Sequence, residues 1–495
     1  MTLESKTCLV VCSGLFVSIA ERLGRDFGKV YLYVPYAGNF PTMNKGMLGY
    51  GLKNVERVDG VFGPHFESID LFVFVDLGHA ALQIHLEKLG KRVWGPRNAE
   101  EQEIYREVCK AKMEELGLPV QPWKIVKGVT ELEAHLRAHK NQLVKIDKWR
   151  GVTETFFADD FETVEPKVHA IAETLGPFKE ELEFIVEDEL PDCVEVGIDT
   201  FTVDGQYPEQ TLVGIEVKDC GYLGQFVSYG SIPEPLRRWN DAFAPLFGKY
   251  GARGTVSNEV RIGKDKVPYM IDATIRAPSP PSELMQEIWT NFSEIIWEGA
   301  DGNLVEPIPA AKWGVEVIVK SAWAEHNLQL VDFPEEFANQ IKLYNEVIVD
   351  GKRYVVCQDD EMTEIGAVVG WGDTPEEAFD HCRKAGESLK GYGIKFEMGA
   401  ADKAHEQIEE LAKLGVSPFT LDGKGKALEP KKPEPKPEPA PEPKPKAKKK
   451  RKIKILRDES GKVTGAEVDG GARKVSLGAL TRDAKGRITD AEVET

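Results

Sequence analysis

The chain has 495 residues, 41% of them hydrophobic, and a formal net charge of −19 at pH 7. That length predicts roughly two to four domains with real cores, and the acidic balance excludes a protein that coats nucleic acid generally, though not a local basic patch. The seven scattered cysteines show no C-x-x-C spacing, no signal peptide is read, and no run reaches the ~20 apolar residues that span a membrane, so a cytoplasmic protein without zinc site, disulfide framework or membrane segment is expected.

Residues 1–96 alternate strand and helix. Thr7–Cys12, Val30–Val34 and Leu71–Val75 are apolar runs. Between them lie helical segments at Leu15–Leu23 and Ala80–Leu89, and Arg92-Val93-Trp94 leads into Gly95-Pro96. Continuous apolar strands between amphipathic helices predict a parallel α/β sheet. The Ser13-Gly14 turn is either a plain turn or a phosphate cradle at a helix N-terminus.

Residues 97–310 begin with a helix, Glu100–Leu116, ending at Gly117-Leu118-Pro119. Lys145 sits inside the apolar strand Leu143–Ile146, where a lysine must reach solvent with its stem packed or meet an anion. After the loop 147–152 comes strand Thr153–Phe157. Phe184-Ile185-Val186 then runs into Glu187-Asp188-Glu189 and Leu190. In Val194–Asp199, alternation places Glu195 and Gly197 on one face and Val194, Val196 and Ile198 on the other.

The most informative pair follows. Glu259 in S-N-E-V-R-I and Asp272 in Y-M-I-D-A-T-I-R flank G-K-D-K-V-P, which reads as a hairpin turn. Strands so joined lie about 5 Å apart, so both acids can point into one site. Two carboxylates there repel unless a cation lies between them, and Mg²⁺ with nucleotide phosphates suits that geometry. The alternative is an exposed, solvated hairpin face.

Residues 311–420 predict strands at Gly314–Val319, Asn345–Val349 and Tyr354–Cys357, with Asp350-Gly351 as a turn. Ile365–Gly370 leads to Thr374-Pro375-Glu376-Glu377, a helix N-cap signature. Residues 421–455 form a Pro/Lys/Glu-rich linker ending in Lys448-Lys449-Lys450-Arg451-Lys452, a candidate nucleic-acid or protein contact against the plainer reading of a solvated spacer. In 456–495, Arg457–Val468 recurs as Arg482–Val493. Each copy is a strand, Asp-x-x-Gly turn and strand, and together they form a two-hairpin tethering module.

From about residue 5 to 415 this order of elements resembles the ATP-grasp superfamily, and within it the phosphoribosylamine–glycine ligases (GAR synthetases). The resemblance implies an α/β and α+β architecture: an N-terminal parallel α/β domain (1–96), a two-part nucleotide clamp (97–310) and a closing domain (311–420). It implies ATP and Mg²⁺ (or Mn²⁺) as cofactors. By position, Arg106 (where the family carries lysine) and Lys145 would neutralise the ATP phosphates. Lys148 and Arg150 of the covering loop would add charge. Glu187 and the backbone to Leu190 would hold adenine, and Glu195 the ribose. Glu259 and Asp272 fall on the metal-ligand positions. Arg276, two residues past Thr274 and so on the same strand face, would steady an acyl phosphate. Lys218 with Asp219 is a candidate γ-phosphate or acceptor contact, or an ordinary loop ion pair. Thr274 stands where the superfamily often has asparagine, which replaces a carbonyl ligand by a hydroxyl. Ala277–Glu283 does not match the glycine ligase on the acceptor side.

The activity implied is an ADP-forming, ATP-dependent carboxylate–amine ligase acting on small molecules, its two substrates and oligomeric state left open. Two alternatives stand beside it. One is an ATP-grasp enzyme modifying nucleic-acid bases. The other is a catalytically degenerate ATP-binding assembly protein.

Overall fold

The apolar runs of the first 96 residues form a five-stranded parallel sheet in the order Val55–Arg57, Lys29–Tyr33, Thr7–Val11, Leu71–Phe74, Arg92–Trp94. The structure, a computed structural model, describes residues 2–35, 47–146, 155–217, 220–356 and 363–419, residue 459, and four strands beyond residue 452. Residues 1–430 are one compact unit and 431–495 another. Gly14 follows the first strand with a left-handed φ of 114°. The space a Cβ would take is filled by Leu48 and Asn345, and its carbonyl accepts from the Asn345 amide at 3.0 Å. The turn therefore seats a later part of the chain.

A smaller four-stranded antiparallel sheet follows, in the order Trp123–Lys127, Glu183–Asp188, Gln142–Ile146, Thr155–Ala158. Helices Val129–Ala138 and Phe161–Leu175 pack on it through Leu132, Leu136, Val164 and Val168 against Val126, Val144, Phe156 and Phe184. Asp160 caps the second helix, its carboxylate accepting from Thr163 N at 3.1 Å.

The scaffold of the site is a nine-stranded sheet. Its path runs Pro268–Thr274, Arg253–Ile262, Val194–Val203, Gln210–Val217, Gly221–Ser228, Trp313–Lys320, Glu364–Gly372, Ile341–Leu343, with Lys395–Phe396 joined to Trp313–Lys320. Alternation gives each strand two characters. Val194, Val196, Ile198, Val213, Ile215 and Leu223 share a core with Leu236 and Phe243 of helix Glu234–Tyr250 and with Ile408 and Leu411 of helix Ala400–Leu414. The intervening residues form the opposite face, where helices Ser282–Ile288 and Phe292–Ala300 join the N-terminal sheet in a second core. A three-stranded sheet, Gln329–Val331, Lys352–Val355, Glu346–Val349, completes the unit.

Most local expectations hold within a residue or two. The capped helix is Pro375–Gly386, with Thr374 Oγ1 accepting from Glu377 N at 3.2 Å and Glu377 accepting from Asp373 N at 2.9 Å. The helix expected over 100–116 is instead broken at Tyr105 into Glu101–Ile104 and Arg106–Glu115. Its acids are drawn to tertiary partners: Glu100 accepts from Gly78, His79 and Ala80 N, and Glu103 from Ile275 N. Periodicity does not register such contacts. Strand Pro268–Thr274 stops short of Arg276, so strand parity does not place that side chain. In the second unit the repeat forms two hairpins, Ile453–Arg457 with Val463–Val468 and Leu477–Arg482 with Ile488–Val493. The basic run 448–452 lies outside the described residues. Among the described residues no helix is long and apolar enough to cross a membrane, and six cysteines are free thiols.

Candidate active site

Glu259 and Asp272 are direct cross-strand partners at the edge of the large sheet. The next pair inward is Val260 with Met270, so Ile271 is an extra residue, a β-bulge. Its carbonyl accepts from Lys145 Nζ at 3.0 Å. The same ammonium lies 4.0 Å from Asp272 Oδ2 and 3.5 Å from Glu187 Oε2. Arg106 donates to Ile146 O at 2.9 Å and stands 3.8 Å from Asp272 Oδ2. Lysine and arginine thus reach Asp272 of the hairpin from the smaller sheet and its lead-in helix. Both cations are almost fully buried, where water screens charge least.

Glu187 is wholly buried at the end of its strand. Its carboxylate pairs with Lys110 and Lys145 and accepts from Gln121 Nε2. One carboxylate therefore orients two ammonium groups that would otherwise repel each other. Lys110, one turn after Arg106, is buried beside them. Leu190 is half-buried just past this strand. Glu195 accepts from Arg261 Nε at 2.8 Å. Arg276 donates to Glu103 Oε1 at 2.9 Å, and the same carboxylate accepts from Ile275 N. Lys148, Arg150, Lys218 and Asp219 lie outside the described residues.

A feature invisible to local sequence reading runs from the acid pair into the sheet. Asp272 is opposite Glu259, Glu259 opposite Gly197, Gly197 opposite Gly214, Gly214 opposite Gly224 and Gly224 opposite Gly314. Four adjacent strands thus place glycine in one transverse row. Without side chains the row is a trough. A Cβ on Gly214 or Gly224 would overlap the ring of Tyr222, which lies across it, and one on Gly314 would meet Leu284. Over Gly197 and Gly214 is a pocket walled by Glu195 and Glu216 on one side and Asp199 and Ser257 on the other. Glu259, Tyr222 and Pro280 also line it.

Asp199 is buried and held by two hydroxyls: Tyr222 donates to Oδ2 and Ser257 to Oδ1, each at 2.6 Å. Burial, aided by Glu216 and opposed by both hydrogen bonds, pushes its pKa up to about 7. Beyond Tyr222, opposite it in the sheet, is Glu316, wholly buried with Glu283. Burial, and after it the neighbouring Glu283 carboxyl, holds the Glu316 pKa far above the usual carboxylate range, and the Glu316 carboxyl accepts from Leu284 N at 3.1 Å. Ser279 and Ser282 donate to Glu283, at 3.3 and 3.2 Å.

Among the described residues no group of three or more protein side chains is gathered for a metal. Two adjacent carboxylates nonetheless fit Mg²⁺, which takes one or two carboxylates and fills its octahedron with phosphate oxygens and water. Zinc or a softer metal would ask for histidine or thiolate.

The parallel N-terminal sheet, the small helix-backed sheet and the large antiparallel sheet together make the ATP-grasp fold. No protein-family model matches the chain, and no curated protein does. Among solved structures it is similar to phosphoribosylamine–glycine ligase from Thermotoga maritima, at 15% identity and a TM-score of 0.58, over 79% of this chain and 99% of that one. It is similar to the biotin carboxylase domain of 2-oxoglutarate carboxylase from Hydrogenobacter thermophilus, solved with MgADP and bicarbonate. There the identity is 14% and the TM-score 0.58, over 83% of this chain and 98% of that one. An L-amino acid ligase from Bacillus licheniformis matches at 15% identity and a TM-score of 0.51, over 78% and 98%.

Proposed function

We propose that the protein is an ATP-dependent carboxylate–amine ligase that works through an acyl phosphate and releases ADP. The observation that carries this is the side-by-side pairing of Glu259 and Asp272 with Lys145 and Arg106 both directed at Asp272. A carboxylate is a poor acyl donor because oxide is a poor leaving group. Phosphorylation by the ATP γ-phosphoryl group replaces oxide by phosphate, and an amine then displaces it. The difficulty is electrostatic: ATP and the substrate carboxylate are both anions. Arg106, Lys145 and Lys110 offset that repulsion in a buried setting and cost no reorganisation during the reaction. Glu187 holds the two lysines in place. Mg²⁺, held by Glu259 and Asp272, would supply charge neutralisation on the phosphates. In this reading Glu195 binds the ribose, the backbone near Leu190 meets adenine, and Arg276 and Lys218 serve the acyl-phosphate end. The substrates are a small carboxylate and an amine, by analogy with the glycine and L-amino acid ligases that share the fold.

The test is product analysis with MgATP against a panel of carboxylates and amines. ADP and phosphate, formed only when both partners are present, are expected. AMP and pyrophosphate would overturn the mechanism. Asp272→Asn should lower turnover by at least about 100-fold, the usual scale for a charge-stabilising group. Undiminished turnover in that variant would remove the metal assignment.

A further inference from the structure

An amine reaches the enzyme at pH 7 as an ammonium ion, which has no lone pair. On the acyl-phosphate reading above, on which this inference rests, something in the pocket must take a proton before nitrogen can attack. The pocket carboxylates differ in their engagement. Glu195 is bound by the Arg261 guanidinium, and Glu259 stands beside Asp272 and its cations. Asp199 is held by hydroxyls, Ser257 on Oδ1 and Tyr222 on Oδ2. Each of its oxygens keeps a further lone pair. It lies two residues from Gly197 on the same strand face, at the wall of the pocket over the glycine floor. Two residues of strand are ~7 Å, so it is one small molecule's length from the Glu259 row.

We propose that Asp199 is the general base of amide formation, taking a proton from a primary ammonium group seated over Gly197, beside the Tyr222 ring that covers Gly214. The acceptor is thus a protonated primary amine. One N–H proton passes to the Asp199 carboxylate. The freed lone pair forms the C–N bond, and the bond between the carbonyl carbon and the bridging oxygen breaks, its electron pair leaving on the phosphate. A second N–H proton leaves with that phosphate, and Asp199 returns its own to solvent. The groups facing Asp199 fit the task. Glu216 and Glu259 on the pocket walls and the Glu316–Glu283 pair behind Tyr222 favour a cation, while Arg261 offsets Glu195, and Lys145 and Arg106 offset Asp272 beyond Glu259. Burial, opposed by the two hydroxyls and aided by Glu216, brings the Asp199 pKa to about 7, where a base is both free and strong enough at neutral pH.

The experiment uses the full chain, MgATP and the same carboxylate panel, with either methylammonium chloride, a protonated primary amine at pH 7, or hydroxylamine as the amine probe. Hydroxylamine is a neutral nucleophile at pH 7 and needs no base to attack. Wild type should form both amide and hydroxamate. In Asp199→Asn the ratio of amide to hydroxamate should fall about 100-fold at pH 7, the low end of the range for a general base, and recover as pH rises. In Tyr222→Phe, which removes a hydrogen bond that lowers the Asp199 pKa, the acid limb of the amide rate should move to higher pH. An unchanged ratio in Asp199→Asn overturns the base assignment, whether both products persist or both fall together. Hydroxamate without amide in wild type overturns the ammonium seat. Absence of hydroxamate with every carboxylate overturns the acyl-phosphate reading, and the base role falls with it.

Discussion

Single residues in this site are governed by buried charge. Glu187 stands wholly buried against Lys110 and Lys145, and a lone buried ammonium is costly. Glu187→Leu, which removes one partner and leaves two cations, should lower unfolding free energy by about 3–5 kcal/mol, measured by urea denaturation. Asp199 sets a pH dependence of stability. Its native pKa is raised from 3.8 to about 7, so the native state holds a proton that the unfolded chain releases. Stability from this group is therefore greatest below about pH 4, falls as pH rises towards 7, and is flat above. The loss is on the order of 4 kcal/mol as an upper bound. Asp199→Asn, which cannot ionise, should flatten that part of the stability curve. A curve of unchanged slope between pH 4 and 7 would show that Asp199 does not titrate there.

At the scale of elements, register decides. The glycine row exists because four neighbouring strands are aligned with one residue's precision. A slip of one residue would turn every acid of the pocket to the helix-covered face. Gly214→Ala would place a methyl group in the space of the Tyr222 ring. It should cost about 1–3 kcal/mol by overpacking. Combined with Tyr222→Ala, its cost should be smaller than the sum of the two single changes, the mark of contacting residues in a double-mutant cycle. The bulge at Ile271 acts at the same scale, since the extra residue supplies the carbonyl that receives Lys145.

For the whole molecule, the described candidate nucleotide-site residues fall between Arg106 and Arg276, all within the 1–430 unit. MgATP should therefore raise the melting temperature of the full chain, by about 2.7 kcal/mol of stabilisation at a hundredfold excess over Kd. Deleting 431–495 should leave that shift unaltered. A shift that vanishes with the deletion would place part of the nucleotide site in the hairpin unit.

The order of strands and helices, the hairpin bringing Glu259 to Asp272, the apolar strand around Lys145 and the Thr374 cap were legible in the chain because each depends on neighbours within a few residues. Alternation also told which face Glu195 and Gly197 share. It could not tell which strand lies beside which. The engagement of Glu187 with Lys110, Lys145 and Gln121 joins residues up to 77 positions apart. The hydroxyl clasp on Asp199 and the glycine trough likewise join distant strands. Such contacts come from sheet order and register, which local periodicity leaves open and only the packed fold decides.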